Sequence, residues 1–164
     1  MSGSGKPQPG DAAPARQRRR GHASTGPDAA PFDPQATALA TELSAALKEL
    51  HRALIRAQIG DDPALQNPYT ALFALIHDPR FSWMAPLSQL IARIDQQVAD
   101  GEIGDMDKLA ELRVQAARLI GDGKDETLAT FRMHHVMALQ REPEAGLATG
   151  KLRKALARLP EAGR

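Results

Sequence analysis

The sequence predicts an all-α protein: an antiparallel bundle of four main helices with shorter ones, preceded by a disordered basic arm. Three observations carry this reading. Val and Ile together number ten against 19 Leu, and Ala fills 29 of the 164 positions, so the apolar stock is helix-forming and not β-branched. Apolar residues recur every three or four positions, which makes one face of a helix. Asp-Pro and Asn-Pro pairs punctuate these stretches where helices start or stop.

The first 31 residues are composed differently. They hold five of the 13 Gly and five of the 12 Pro, and no Leu, Ile, Val, Phe, Tyr or Trp. Such a segment has nothing to bury and cannot offset the entropy lost on ordering, so residues 1–31 read as the disordered arm and 32–164 as the bundle domain. The arm nets +3 through Lys6, Arg16, Arg18, Arg19 and Arg20, while the remainder nets −2.

Within the domain, Asp33-Pro34 reads as an N-cap followed by proline at the first helical position. Leu39, Leu43, Leu47, Leu50 and Leu54 then form one stripe, and Gly60 ends the helix as a left-handed cap. The loop Asp61-Asp62-Pro63 follows. Asn67-Pro68 opens a short helix bearing Leu72, Phe73, Leu75 and Ile76, laid across one end of the bundle and stopped by Asp78-Pro79. A third helix from about Ala85 to Asp100 turns Leu87, Leu90, Ile91, Ile94 and Val98 inward. A fourth starts at Asp105 and buries Leu109, Leu112, Ala116, Leu119 and Ile120. A fifth spans Lys124 to Glu142, ended by Pro143, and a last, weaker one covers Lys151 to Leu159, its Lys151, Arg153, Lys154 and Arg158 forming a solvated face. Short connections favour antiparallel neighbours.

Composition also excludes chemistry. Without cysteine there is no disulfide framework, thiolate metal site or cysteine nucleophile. No apolar run approaches the ~20 residues of a membrane helix, and the arm has neither the apolar region of a secretory signal nor the apolar face of a mitochondrial presequence. Cytoplasmic residence is the expectation, and the Ala, Arg, Gly and Pro bias suits a bacterial genome. Glu-x-x-His pairs, which a dinuclear carboxylate bundle needs, are lacking, as are a phosphate loop, a G-x-S-x-G elbow and an H-E-x-x-H helix. No cofactor or metal is expected. Arg16, Arg18, Arg19 and Arg20 could make weak contacts to nucleic acid, but with no interleaved aromatics and an acidic body behind them a dedicated nucleic-acid fold is not expected.

Two constellations stand out. Four of the six aromatics, Tyr69, Phe73, Phe81 and Trp83, fall within fifteen residues beside His77, Asp78 and Arg80. They make either the mouth of a ligand pocket or a plug filling the corner between two helices, and the sequence favours the plug. His135 projects into the bundle by helical phase, between Phe131 and Leu139, with His134 at the edge. There it is either a neutral core histidine or a ligand to haem or metal; His51, on the flank of the first stripe, could meet it or Asp95 across the core.

The run Asp78-Pro79-Arg80-Phe81-Ser82-Trp83-Met84-Ala85-Pro86-Leu87-Ser88-Gln89-Leu90-Ile91, followed by Arg93-Ile94-Asp95, resembles the signature of a family of small bacterial all-helical proteins. Leu50-His51-Arg52-Ala53-Leu54 resembles a Leu-His-Lys-Ala-Leu stretch of the same family. The resemblance covers roughly residues 43–120 and implies a helical fold and no reaction. Family members favour Leu at the position of Met84 and acidic residues at those of Arg56 and Gln58, so a site formed by those acids does not carry over to this chain.

Three functions follow. The first is a non-catalytic module acting through protein contacts or self-association, the stripe of the long first helix being long enough to serve a partner as well as a core. The second is a small-ligand or haem-binding bundle using His51, His77, Asp78, Arg80, Trp83, Asp95 and His135. The third is an enzyme with a site built on His51, Asp78 and Asp95.

Overall fold

The computed structural model describes residues 33–121 and 124–163, with Gly3, Gly5 and Gly10. The arm expected at 1–31, with Arg16, Arg18, Arg19 and Arg20, otherwise lies outside the described residues. Every regular element among the described residues is helical, so the fold is all-α: α1 (Pro34–Ile59), α2 (Pro68–His77), α3 (Ala85–Ala99), α4 (Met106–Ile120), α5 (Ala129–Arg141) and α6 (Pro143–Ala157). Three short 3-10 segments, Pro63–Leu65, Pro79–Met84 and Glu126–Leu128, join them.

One local device starts five of these elements. A side-chain oxygen accepts from the backbone N–H two residues on, and proline occupies the first helical position, where no N–H is needed. Asp33, Asp62, Asn67, Asp78 and Glu142 each cap in this way, at α1, the first 3-10 segment, α2, the second 3-10 segment and α6. Asp105 caps α4 through Lys108. Gly60 ends α1 with φ 51° and ψ −133°, so its φ is positive as expected but its ψ lies outside the left-handed helical well. Two boundaries differ from the sequence reading. The α5 helix begins at Ala129 and not near Lys124, because Asp125 caps the 3-10 segment before it. The last helix is neither weak nor short: it starts at Pro143, eight residues earlier than Lys151, and runs for 15 residues.

The 26-residue α1 is the axis of the bundle, with α3 and α6 packed most extensively along it and α4 and α5 closing the remaining sides. Leu43, Leu47, Leu50 and Leu54 of its stripe are all buried, as are Leu87, Leu90, Ile91 and Ile94 of α3, Leu109, Leu112, Ala116 and Leu119 of α4, and Leu152 and Leu156 of α6. The fold's own helices therefore cover these four positions of the α1 stripe, with Leu39 at its start partly buried against the same core.

The α1–α6 seam shows its register in charge. Glu42 pairs with Arg158 at 2.8 Å, Glu49 with Lys151 at 2.8 Å, and Arg56 with Glu144. The partners step by seven residues forward on α1 and by seven backward on α6, the spacing of an antiparallel coiled-coil seam. A parallel alignment of the same helices would set Glu42 against Glu144 and Arg56 against Arg158. These pairs are exposed and contribute little stability, so their effect is on orientation and register.

Candidate functional site

The aromatic corner divides into two parts with opposite environments. The segment Pro79–Met84 crosses from α2 to α3 and turns Phe81, Trp83 and Met84 into the core. The Trp83 indole is 9% exposed; it stacks on His134 with centroids 4.7 Å apart and meets Phe131 at 5.6 Å. Its Nε1–H donates to Gln58 Oε1 at 3.1 Å, which satisfies the one polar atom that burial would strand. The cleft it helps line, with Gln58, His134, Met137 and Arg141, measures about 20 Å³. That is room for about one water.

On α2 the environment is reversed. Tyr69 is 84% exposed, Leu72 57%, Phe73 66% and Ile76 68%. Only Ala74 is fully buried, with Leu75 packed against the core beside it. These four outward side chains sit at the i, i+3, i+4, i+7 positions of one helix face. The helix packs chiefly against the 3-10 segments before and after it. Those two segments are tied together by Arg80, whose guanidinium bonds Asp78 Oδ2 at 2.7 Å and reaches Asp62 Oδ2 at 3.4 Å. Hydrogen bonds from Arg80 hold the Asp78 carboxyl below the usual carboxylate range. The α2 helix is thus an apolar ridge raised on a polar clamp. Phe73 rests against His77, with ring centroids 4.4 Å apart.

His135 is buried, as its phase predicted, but the inward face of α5 is centred on Phe131, His135 and Ala138, and Leu139 is exposed. Its Nε2 lies 2.9 Å from Thr149 Oγ1, and the Thr149 hydroxyl lies 2.7 Å from the carbonyl of Ala145. The single hydroxyl hydrogen goes to that carbonyl, so the oxygen can only accept from the ring, and Nε2 carries a hydrogen. Burial, reinforced by the charge of Arg153, lowers the imidazole pKa and keeps the ring neutral at pH 7. Nε2 is therefore committed to Thr149 and not presented as a ligand atom.

Asp95 lies on α3, where Oδ1 accepts from the buried Ser44 hydroxyl at 2.5 Å and Oδ2 pairs with Lys48 at 2.8 Å. Burial opposes ionisation there, but the bonds from Lys48 and Ser44 outweigh it and lower the pKa. His51 is half-buried, which lowers its pKa. No hydrogen bond among the described residues joins it to Asp95 or His135.

The seven sequence-predicted residues thus fall into separate groups. Asp78, Arg80 and His77 belong to the α2 corner, Trp83 to the plug, His135 to α5–α6, Asp95 to the α1–α3 seam, and His51 to α1, bonded to none of the others. Asp95 meets α1 at residues 44 and 48 while Trp83 meets it at 58, an offset of ~15–21 Å along the helix. A reacting centre needs its groups within hydrogen-bond reach of one atom, and Asp78 and Asp95 stand at different levels of the bundle. The larger clefts, of about 680, 410, 380 and 310 Å³, are lined by other side chains than these seven. Among the described residues no three His, Asp or Glu gather as a metal ion would require, and no helix is long and apolar enough to cross a membrane.

Sequence reasoning missed the exposed ridge because Tyr69 and Phe73 were grouped with Phe81 and Trp83 by proximity in the chain. Residues 68–76 carry no charged side chain and Thr70 as their one polar side chain, so charge marks no solvent face on this helix and its outward side was not legible from the pattern. The chain matches no protein-family model, no curated protein and no solved structure.

Proposed function

We propose that this protein is a non-catalytic interaction module that docks a protein partner through the outward face of α2. One observation carries the reading: four large apolar side chains, two of them aromatic, stand at least half exposed on one ten-residue helix. Contiguous apolar patches of this kind on soluble chains mark contact sites, and aromatic anchors are the side chains that dominate interface energetics. The clamp Asp62–Arg80–Asp78 holds the ridge in position before binding, which lowers the ordering cost of association. The dispersal of the titratable candidates gives neither a ligand-binding nor a catalytic reading comparable support. The same proposal places the protein in a bacterial cytoplasm, on its cysteine-free composition and on the resemblance of residues 78–95 to the small bacterial helical family.

The test is site-specific photo-crosslinking in the producing cell. A benzophenone amino acid replaces Phe73 on the ridge, or Gln89 on the exposed side of α3 as control. A protein adduct at position 73 and none at 89 is the expected result. No adduct at 73 overturns the proposal.

A further inference from the structure

Resting on that reading, we infer that the partner is a second copy of this chain, joined by antiparallel pairing of two α2 helices across a two-fold axis. The residues that would meet are set by the stripe itself. Positions 69, 72, 73 and 76 are symmetric about the midpoint between Leu72 and Phe73. A two-fold axis through that midpoint places Tyr69 against Ile76 of the other copy and Leu72 against its Phe73. Each aromatic ring then packs on an aliphatic side chain, and the same patch serves both protomers, as an isologous interface demands.

Charge agrees with this pairing. Residues 68–76 include no Lys, Arg, Asp or Glu, so two copies bring no like charges together, and the helix offers no charge by which to select a foreign surface. Opposed helix dipoles also favour the antiparallel arrangement. The chain's own arm is a poor alternative occupant, because residues 1–31 contain no Leu, Ile, Val, Phe, Tyr or Trp to cover the ridge.

The area suffices for a reversible dimer. Large aromatic side chains hide ~150–250 Å² each when buried, and at the observed exposures the four residues leave on the order of 500 Å² open. Complete burial of two such faces would remove at most about 1,000 Å² from water, at the threshold for a specific interface, so association is weak, concentration-dependent and not obligate.

Sedimentation velocity of the full chain over about 1–200 μM, a range that spans weak association, is expected to show a monomer–dimer equilibrium. Phe73→Asp should abolish it while leaving helicity intact, because Phe73 is exposed in the monomer. The register is read by disulfide formation, since the chain has no cysteine of its own. A mixture of Tyr69→Cys and Ile76→Cys proteins should cross-link to each other. Tyr69→Cys alone should not, because its two copies would lie ~10 Å apart along the helices, beyond disulfide reach. A dimer that survives Phe73→Asp, or self-linking by Tyr69→Cys as fast as the mixture, overturns the inference. A strict monomer overturns it too: with a position-73 photo-adduct of foreign mass the docking face stands and only the second copy is lost, and without any adduct both fall.

Discussion

Trp83 and Phe73 are aromatic side chains ten residues apart, and truncating each should have very different consequences. In Trp83→Ala the indole leaves a site that is 9% exposed, removing its stack on His134, its contact with Phe131 and its bond to Gln58. Buried Trp or Phe truncations cost about 3–5 kcal/mol through lost transfer energy and the cavity left behind. Gln58 is only partly buried and lines the cleft beside it, so its freed oxygen can be hydrated and the lost hydrogen bond adds little. For Phe73→Ala the ring is already 66% exposed, and exposed substitutions stay within about 0.5 kcal/mol. Urea unfolding followed by far-ultraviolet circular dichroism measures both without relying on the tryptophan signal. It should be done at a protein concentration too low for association, because a dimer would add linkage to the Phe73 result. A loss under about 1 kcal/mol for Trp83→Ala would refute the plug. A loss above about 2 kcal/mol for Phe73→Ala would mean that α2 packs by its aromatic side, and the docking argument would fail with it.

Three further outcomes are expected. Burial depresses the pKa of His135 and His51 below 6.5 in the fold, so the unfolded chain binds more protons below that pH; the stability they contribute is present above about pH 6.5 and lost as the pH falls, by at most ~1.4 kcal/mol per pH unit for each ring. Melting temperatures of wild type and His135→Gln between pH 7 and 5 should therefore converge, and parallel curves would show that His135 is not the group responsible. Gly60→Ala should cost about 1–3 kcal/mol in urea unfolding, because the position holds φ 51° while nothing crowds a methyl group there, which leaves backbone strain as the cause. Lys151→Glu should lower the melting temperature slightly and in a salt-dependent way by facing Glu49, and Glu49→Lys added to it should restore the loss; failure of the double swap would remove the charge-register argument for the α1–α6 seam.

The fold was legible where one pattern had one physical meaning. The spacing of Leu43, Leu47, Leu50 and Leu54 marked the apolar face of α1, though not whether core or partner would cover it, and the capped α1 start followed from Asp33-Pro34. Legibility failed where one residue pair has two meanings. Proline ends the preceding helix by steric exclusion and starts the next by its fixed φ and missing N–H. Reading Pro143 only as a stop truncated α6 by eight residues, and reading Asp62-Pro63 only as loop overlooked a 3-10 turn. The seam with α6 was hidden for a related reason, since its ion pairs join residues 88 to 116 positions apart and no local window contains both partners. The candidate residues suffered most. Chain proximity put Tyr69 and Phe73 with Phe81 and Trp83, yet the Asp78-Pro79 corner reverses which way the aromatics face.

That corner also explains how an apolar helix can stay outside a stable body. The buried Leu and Ile of α1, α3, α4 and α6 already form a continuous core, to which α2 adds little beyond Ala74 and Leu75. Collapse of α2 onto the bundle would require its large side chains to displace neighbours in a core packed at crystal-like density, where overpacking costs about 1–3 kcal/mol per site. The Arg80 clamp opposes the same movement from the other side, because turning the ridge inward would carry Asp78 away from the guanidinium that also reaches Asp62. On the proposed reading, stability and contact fall to different helices. A substitution on the outward face of α2 should change association without unfolding the protein, whereas one in the Trp83 plug should lower stability itself.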